Sequence, residues 1–69
     1  MAEGRVARVT EVIAGSPKSF DEAVKFCFDR ANKTLRNITG MKITEFRINA
    51  ENGVIKEYRV RAEVIFVLD

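Results

Sequence analysis

The chain has 69 residues, one cysteine and no histidine, and its formal net charge is only +2. A single cysteine excludes an intramolecular disulfide, and without histidine neither a structural zinc site nor Cys-His or Ser-His catalysis is expected. Twelve basic and ten acidic residues are interspersed along the chain, so nucleic-acid binding is not indicated. A domain of this size buries only about 60% of its surface, which leaves oligomerisation as the expected source of stability.

The distribution of apolar residues predicts a single domain over residues 1–69. Apolar residues form 46% of the sequence, which is high for so small a domain and suggests that apolar surface is buried between copies of the chain. No apolar run is long enough to span a membrane, and no signal segment precedes the first predicted strand. We therefore expect a cytoplasmic protein without a membrane partner, and a loose terminus over residues 1–4.

The first two predicted elements are a strand over about residues 5–14 and a helix over about residues 19–36. The strand is rich in β-branched residues and stops before Gly15-Ser16-Pro17. From Ser19 onward the apolar residues recur every three or four positions, which is typical of an amphipathic helix. Ser19 and Glu22 have the spacing of a capping box, in which each side chain accepts a hydrogen bond from the other residue's backbone N–H. Cys27 lies in the apolar stripe, so we interpret it as a buried hydrophobe.

Two further strands are predicted over about residues 41–48 and 54–68, joined by the hairpin signal Asn52-Gly53. A two-residue turn there would pair Arg47 with Tyr58, Glu45 with Val60 and Ile43 with Ala62. The apolar side of the third strand then lies beneath the helix, and Lys56 is the residue that breaks its alternation. The predicted fold is α+β with the order β-α-β-β, a three-stranded antiparallel sheet partly wrapping one helix.

One helix covers one side of this sheet, and the other side is predicted to carry both charged and large apolar residues. In the expected register that side holds Gly40, Lys42, Thr44, Phe46, Ile48, Glu57, Arg59, Arg61, Glu63 and Ile65. Phe46, Ile48 and Ile65 are large groups to leave uncovered, and Phe26 lies on the outer flank of the helix. Together with the lack of disulfides and metals, they favour self-association.

No residue pattern indicates an enzyme active site. The glutamates of the sheet alternate with arginine and lysine, which is typical of solvated ion pairs rather than of acid-base catalysts. Gly15 has none of the companion residues of a phosphate-binding loop. Oxygen ligands for calcium could come from Asp29, Glu45, Glu51 and Asp69, although no EF-hand spacing is present.

The order of elements and three stretches of sequence resemble the dodecin family. These stretches are the turn from Gly15 to Phe20, the helical segment from Ala31 to Asn37, and the strand from Lys56 to Phe66. The similarity covers nearly the whole chain. It implies a β-α-β-β subunit, twelve of which build a hollow shell with cubic-type symmetry, and in flavin-binding members paired flavins lie between subunits.

The chain departs from flavin-binding dodecins at the two positions that hold the flavin. Such members have a Trp at the start of the second strand that stacks on the isoalloxazine ring, and a Gln on the third strand that bonds its pyrimidine edge. Gly40 and Arg59 stand at these positions, and the chain has no Trp. Loss of a stacking partner removes about 1–3 kcal/mol, judged from base–aromatic stacking. Lys42, Thr44 and Arg61 are the residues that could support such a site.

The resemblance and the two departures predict a non-enzymatic homo-oligomer, a dodecamer, for small-molecule binding or storage. The usual site for FMN, FAD or riboflavin is expected to be altered, with a small anionic molecule or ion as the guest of Arg59. The alternatives are weak flavin binding and a purely structural or ion-binding assembly, in which Arg59 forms a salt bridge. For Gly40 the competing interpretation is a helix-to-strand turn in a conformation that only glycine tolerates.

Overall fold

The computed structural model describes residues 5–68 and contains one helix and three strands. Strand β1 (Ala7–Ser16) is followed by helix α1 (Phe20–Thr34), strand β2 (Ile38–Glu51) and strand β3 (Val54–Val67). The sheet is antiparallel with the order β1-β3-β2, so β3 is its central strand. This confirms the predicted β-α-β-β fold, although β2 is longer at both ends than predicted. The expected loose terminus at residues 1–4 lies outside the described residues.

The helix begins where the sequence predicts, but only half of the capping box forms. The Ser19 hydroxyl oxygen accepts a hydrogen bond from the Glu22 backbone N–H at 3.0 Å. Glu22 does not return to the Ser19 N–H and instead accepts a hydrogen bond from the Ser16 hydroxyl. The fully buried Ser16 hydroxyl also accepts one from the Lys18 backbone N–H at 2.9 Å. The polar groups of this tight strand-to-helix connection are therefore satisfied locally.

The core between the helix and the sheet is made of small residues. Three residues of α1 are buried, Ala23, Cys27 and Ala31, and they face the buried residues Val60, Ala62 and Val64 of β3. Small side chains let the helix approach the sheet closely. No helix among residues 5–68 is both long and apolar enough to cross a membrane.

The hairpin between β2 and β3 turns at Asn52-Gly53, as predicted. Asn52 has φ 53° and Gly53 has φ 76°, and positive values at both central residues fit the type I′ turns that join antiparallel strands tightly. Glu51 lies opposite Val54 directly beyond the turn. Asn-Gly is one of the residue pairs that adopt this backbone conformation most readily.

The predicted register of this hairpin is wrong over its middle part because of two irregularities. One lies between Asn49 and Ala50 of β2, where Lys56 of β3 has no partner, and the other leaves Thr44 of β2 without one. Between them the observed pairs are Phe46 with Val60, Arg47 with Arg59 and Ile48 with Tyr58. The predicted Ile43–Ala62 pair, beyond the second irregularity, is confirmed. An extra residue in one strand reverses the facing of the residues that follow.

The shifted register moves Phe46 and Ile48 to the helix side of the sheet. The Phe46 ring packs edge-on against Phe20 of the helix, with 5.2 Å between centroids, and Phe20 packs likewise on Tyr58 at 5.1 Å. The prediction that Phe46 and Ile48 lie on the uncovered side is therefore wrong. Both remain exposed, at 59% and 45%, because they lie near the helix N-terminus, where its cover ends.

Candidate functional site

The candidate site is the sheet surface that the helix does not cover, called here the uncovered face. Because facing alternates along a strand, the pairing assigns to it five residues of β3 and their neighbours on β1 and β2. They are Glu57, Arg59, Arg61, Glu63 and Ile65 of β3; Val9, Glu11, Ile13 and Gly15 of β1; and Gly40, Lys42, Glu45, Arg47 and Asn49 of β2.

Gly40 and Arg59 share this face, but one subunit does not bring them together. Gly40 lies opposite Ile65, and Arg59 lies six residues from Ile65 along β3. At about 3.3 Å per residue the two positions are about 20 Å apart. A ligand that contacts both must therefore lie between different subunits or be very long.

The predicted supporting residues divide between these two positions. Lys42 lies opposite Glu63, on the Gly40 side of the face, and Arg61 lies next to Arg59. Thr44 is an unpaired residue of β2, and its hydroxyl donates a hydrogen bond to the Arg61 carbonyl oxygen at 3.2 Å. The Thr44 side chain therefore links β2 to β3 where the pairing of the two strands is irregular.

Gly40 is an open position of β2, directly beside an irregularity in the pairing with β3. It lies inside β2, and its φ is outside the left-handed range, since Gly53 alone among the described glycines has a positive φ. A Cβ at Gly40 would meet the Ile65 side chain at 3.7 Å, an ordinary van der Waals distance. The interpretation that only glycine tolerates this backbone is therefore wrong. The subunit leaves room for a side chain there, and the chain does not use it.

Arg59 is held by Glu57 in a small polar network. Its Nη2 atom lies 3.0 Å from Glu57 Oε1, and the same carboxylate oxygen accepts a hydrogen bond from Asn49 Nδ2 at 2.9 Å. The Glu57 carboxylate lies directly over Gly15, where any Cβ would collide with it. Sequence reasoning did not find this contact, because Gly15 and Glu57 are far apart in the chain.

A second network connects two arginines through Glu45. Arg47 Nη2 lies 2.7 Å from Glu45 Oε2, and Arg61 Nε lies 3.4 Å from Glu45 Oε1. The hydrogen bond and the charge of Arg47 hold the pKa of Glu45 below its usual value. Arg61 also reaches Glu11 on β1, at 3.6 Å. These side chains are exposed enough for solvent to screen their attraction.

Outside this face, an apolar groove lies between β1 and α1. It measures about 380 Å³ and is lined by Val12, Ala14, Phe26, Cys27 and Leu35 among others. Burial raises the pKa of the Cys27 thiol, which agrees with its predicted role as a hydrophobe. Phe26 is 47% exposed, so the predicted apolar outer flank of the helix is present.

The described residues contain no cluster of three or more Asp, Glu or Cys side chains that could hold a metal ion. Glu45, one of the calcium ligands considered from the sequence, is engaged by Arg47 and Arg61. Asp69 lies outside the described residues. Within residues 5–68, a single subunit therefore has no arrangement that favours calcium.

Comparisons with known proteins agree with the fold seen here. The family model "Dodecin" matches residues 6–69. A curated dodecin from Thermus thermophilus is 32% identical over 66 residues, which is 96% of each chain. Among solved structures, dodecin from Streptomyces coelicolor superposes with a TM-score of 0.91 at 32% identity, covering 99% of this chain and 97% of that one.

A further solved structure is the calcium-chelating antigen calcium dodecin from Mycobacterium tuberculosis, described as having a novel calcium-binding site. It is 28% identical, with a TM-score of 0.81, and the match covers 93% of this chain and 91% of that one. The shared backbone thus occurs in a protein that is described as binding calcium.

Proposed function

Because the chain belongs to the dodecin family, we propose that it is a non-enzymatic subunit of a homododecameric shell that binds or stores a small molecule in the cytoplasm. The observation that carries this proposal is the incompleteness of the single subunit. Its buried hydrophobic core, within residues 5–68, consists of Ala23, Cys27, Ala31, Val60, Ala62 and Val64. Ten large apolar side chains of the described residues are exposed, among them Phe26, Phe46 and Ile48, which is the kind of surface that oligomers bury.

The guest binds between subunits, on the uncovered face. In dodecins that bind flavin, the stacking and hydrogen-bonding positions act on one ligand, and they correspond to Gly40 and Arg59 here. Since these positions are about 20 Å apart along one sheet, a site that uses both requires Gly40 from one subunit and Arg59 from another. The shell and the site are thus formed by the same association.

The guest is a small anion-bearing molecule, and the usual flavin site is altered. Gly40 offers no ring for stacking, so a flavin loses about 1–3 kcal/mol of binding free energy at this position. Arg59 offers a planar cation with several donors, which suits a carboxylate or a phosphate. It must exchange its contact with Glu57 for a contact with the guest, and this exchange weakens binding.

Mass and binding measurements test the proposal together. Native mass spectrometry should give twelve copies of the 7.8 kDa chain, about 94 kDa. Titration with FMN and riboflavin, followed by flavin fluorescence, should show weak quenching, with FMN preferred because it carries a phosphate. An Arg59→Gln variant should abolish the preference for FMN, while the matched control Lys25→Gln on the exposed side of α1 should retain it.

Two outcomes would contradict the proposal. A monomer at micromolar concentration would remove the shell, and with it any site formed between subunits. Yellow purified protein with stoichiometric quenching of both flavins would show that the flavin site is intact despite the loss of the Trp. In that case the proposal of an altered site would be replaced by the alternative of flavin binding, with full rather than weak affinity.

A purely structural assembly is the second candidate, and the paired state of Arg59 favours it. Arg59, Arg61 and Arg47 each already contact a glutamate of the same subunit, so none needs a guest to neutralise it. If Arg59→Gln lowers the mass of the oligomer without changing the binding of FMN or inorganic phosphate, Arg59 serves assembly alone. If binding falls and the mass is unchanged, Arg59 serves the guest.

A further inference from the structure

The carboxylate of Glu57 lies in a small cradle that is formed by one residue from each strand, Gly15 of β1, Asn49 of β2 and Arg59 of β3. Its Oε1 atom accepts a hydrogen bond from Asn49 Nδ2 at 2.9 Å and lies 3.0 Å from Arg59 Nη2. Its Oε2 atom lies so close to Gly15 that any Cβ there would collide with it. The cradle thus consists of two donors and a bare stretch of backbone, and all three residues belong to one subunit.

Two departures from regular strand structure build this cradle. Regular pairing from the hairpin turn would place Ile48 opposite Glu57. The irregularity after Asn49 places the Asn49 amide there instead. Glycine inside a strand weakens it and often marks a position where a ligand approaches the backbone closely. Gly15, within β1, is such a glycine, so both departures serve the same small patch of the uncovered face.

The charges around the cradle favour an anion in it. Arg47 lies opposite Arg59, and like charges at opposed positions destabilise a sheet. Among residues 5–68, Arg59 has no ion-pair partner other than Glu57, so its charge is left uncompensated when Glu57 moves away. The Arg59 and Glu57 side chains are 45% and 33% exposed. A dissolved anion can therefore reach this ion pair from solvent.

We infer that the guest of the proposed shell carries a carboxylate, which binds in the cradle by displacing the side chain of Glu57. The inference rests on the proposed function for the presence of a guest on this face, and it adds Asn49 and Gly15 to the site. The guest takes over the contacts that Glu57 makes, with one oxygen on the two donors and the other against Gly15. Because Glu57 competes with the guest for the same donors, it sets the affinity of the site.

The shape of the cradle favours a carboxylate over a phosphate. A carboxylate is flat, and it can lie on the backbone of Gly15 as the Glu57 carboxylate does. A phosphate group is tetrahedral and does not lie flat there, although Arg59 still attracts its charge. Charge alone gives the opposite order, because a phosphate monoester is more negative at pH 7 than a carboxylate. The preference between the two anions therefore tests the geometry.

Benzoate and phenyl phosphate are the probes, because they share a ring and differ in the anionic group. Ligand-observed NMR titration of the wild type should show tighter binding of benzoate. Glu57→Gln removes the competing charge and should tighten benzoate binding about two- to fivefold, the range expected for the loss of one exposed ion pair. In that background Asn49→Ala should weaken benzoate binding about threefold or more through the lost hydrogen bond. Gly15→Ala should prevent the gain, because its Cβ takes the place of one carboxylate oxygen.

Glu45→Gln is the matched control for the charge that Glu57→Gln removes. Glu45 lies on the same face, but its carboxylate contacts Arg47 and Arg61 rather than the cradle. Glu45→Gln should therefore tighten benzoate binding less than Glu57→Gln does. Lys25→Gln on the exposed side of α1 should change the binding of neither probe. Because the central expectation is a gain of binding, a variant that misfolds cannot imitate it.

The outcomes separate this inference from the proposed function. The carboxylate cradle is refuted if phenyl phosphate binds more tightly than benzoate, or if Glu57→Gln tightens benzoate binding no more than Glu45→Gln does. It is also refuted if neither the wild type nor Glu57→Gln binds benzoate. In each case a dodecamer that prefers FMN through Arg59 leaves the proposed function intact. A monomer that binds benzoate as expected refutes the shell and retains the cradle, because all residues of the cradle come from one chain.

Discussion

The two faces of the central strand β3 differ in almost every physical property. On the helix side Val60, Ala62 and Val64 are buried without exposed surface, and their small volume sets how closely α1 approaches. On the uncovered side Arg59 and Arg61 remain 45% and 43% exposed and are joined to glutamates. One face therefore forms the core of the fold, whereas the other leaves its polar groups in contact with solvent.

The largest expected effect comes from placing the same residue on each face of β3. Ala62→Gln forces a long polar side chain into a fully buried position, and overpacking with an unsatisfied amide should lower the free energy of unfolding by about 3 kcal/mol or more. Arg61→Gln, one position earlier on the exposed face, removes only surface ion pairs and should cost about 1 kcal/mol or less. Urea denaturation at equal subunit concentration measures both. Equal losses would show that the two faces are not energetically distinct.

An intermediate effect is expected from the two glycines of the uncovered face. Gly15→Ala would displace the Glu57 carboxylate, and with it the contacts to Arg59 and Asn49. Because the displaced group is the end of a flexible side chain, the cost should stay near 1 kcal/mol. Gly40→Ala meets only ordinary contact with Ile65 and should be neutral or stabilise by about 0.4–1 kcal/mol through the unfolded state.

Thermal unfolding of the two glycine variants, beside the wild type, gives the comparison directly. Opposite signs for the two substitutions would support the assignment of Gly15 as a close-approach site and Gly40 as an open one. Equal destabilisation would mean that Gly40 is constrained by something that the subunit does not show. A neighbouring copy lying over Gly40 would be one such constraint.

The element order and the helix side of β3 were predictable from sequence because they depend on local signals. Ser19 marks the helix start, Asn52-Gly53 marks the turn, and period-two alternation assigns Val60, Ala62 and Val64 to the core. The uncovered face was predicted only in part. The alternation of apolar and polar residues assigns positions to a face only while the strand pairing is regular. It does not indicate where a residue such as Thr44 is left unpaired, so Phe46 was assigned to the wrong side.

Two features of the site were beyond local sequence signals. The contact of Glu57 with Gly15 joins residues 42 positions apart in sequence, and no spacing rule indicates it. The distance between Gly40 and Arg59 follows from the pairing of Gly40 with Ile65, six residues from Arg59 along β3, whereas period-two alternation indicates only the face they share. Lys56 was the one available clue to the irregular pairing, since it interrupts the apolar alternation of its strand.

The smallest effect, and the one that isolates the electrostatics of the uncovered face, concerns the pH dependence of Glu45. Arg47 lowers the pKa of Glu45 in the folded chain below its usual value of 4.5. The stabilisation from this contact is therefore complete above that value and is lost as the pH falls through the lower, folded pKa.

Arg47→Gln should raise the pKa of Glu45, as followed by NMR of its side-chain carboxyl carbon, and should leave stability at pH 7 almost unchanged because both side chains are well exposed. Lys42→Gln on the same strand provides the matched control, since Lys42 takes part in no ion pair among residues 5–68 and its replacement should leave the Glu45 titration unchanged. If the carboxyl of Glu45 titrates identically in the wild type and in Arg47→Gln, the Arg47–Glu45 contact does not persist in solution, and the charges of this face are free to be rearranged by a guest or by a second copy.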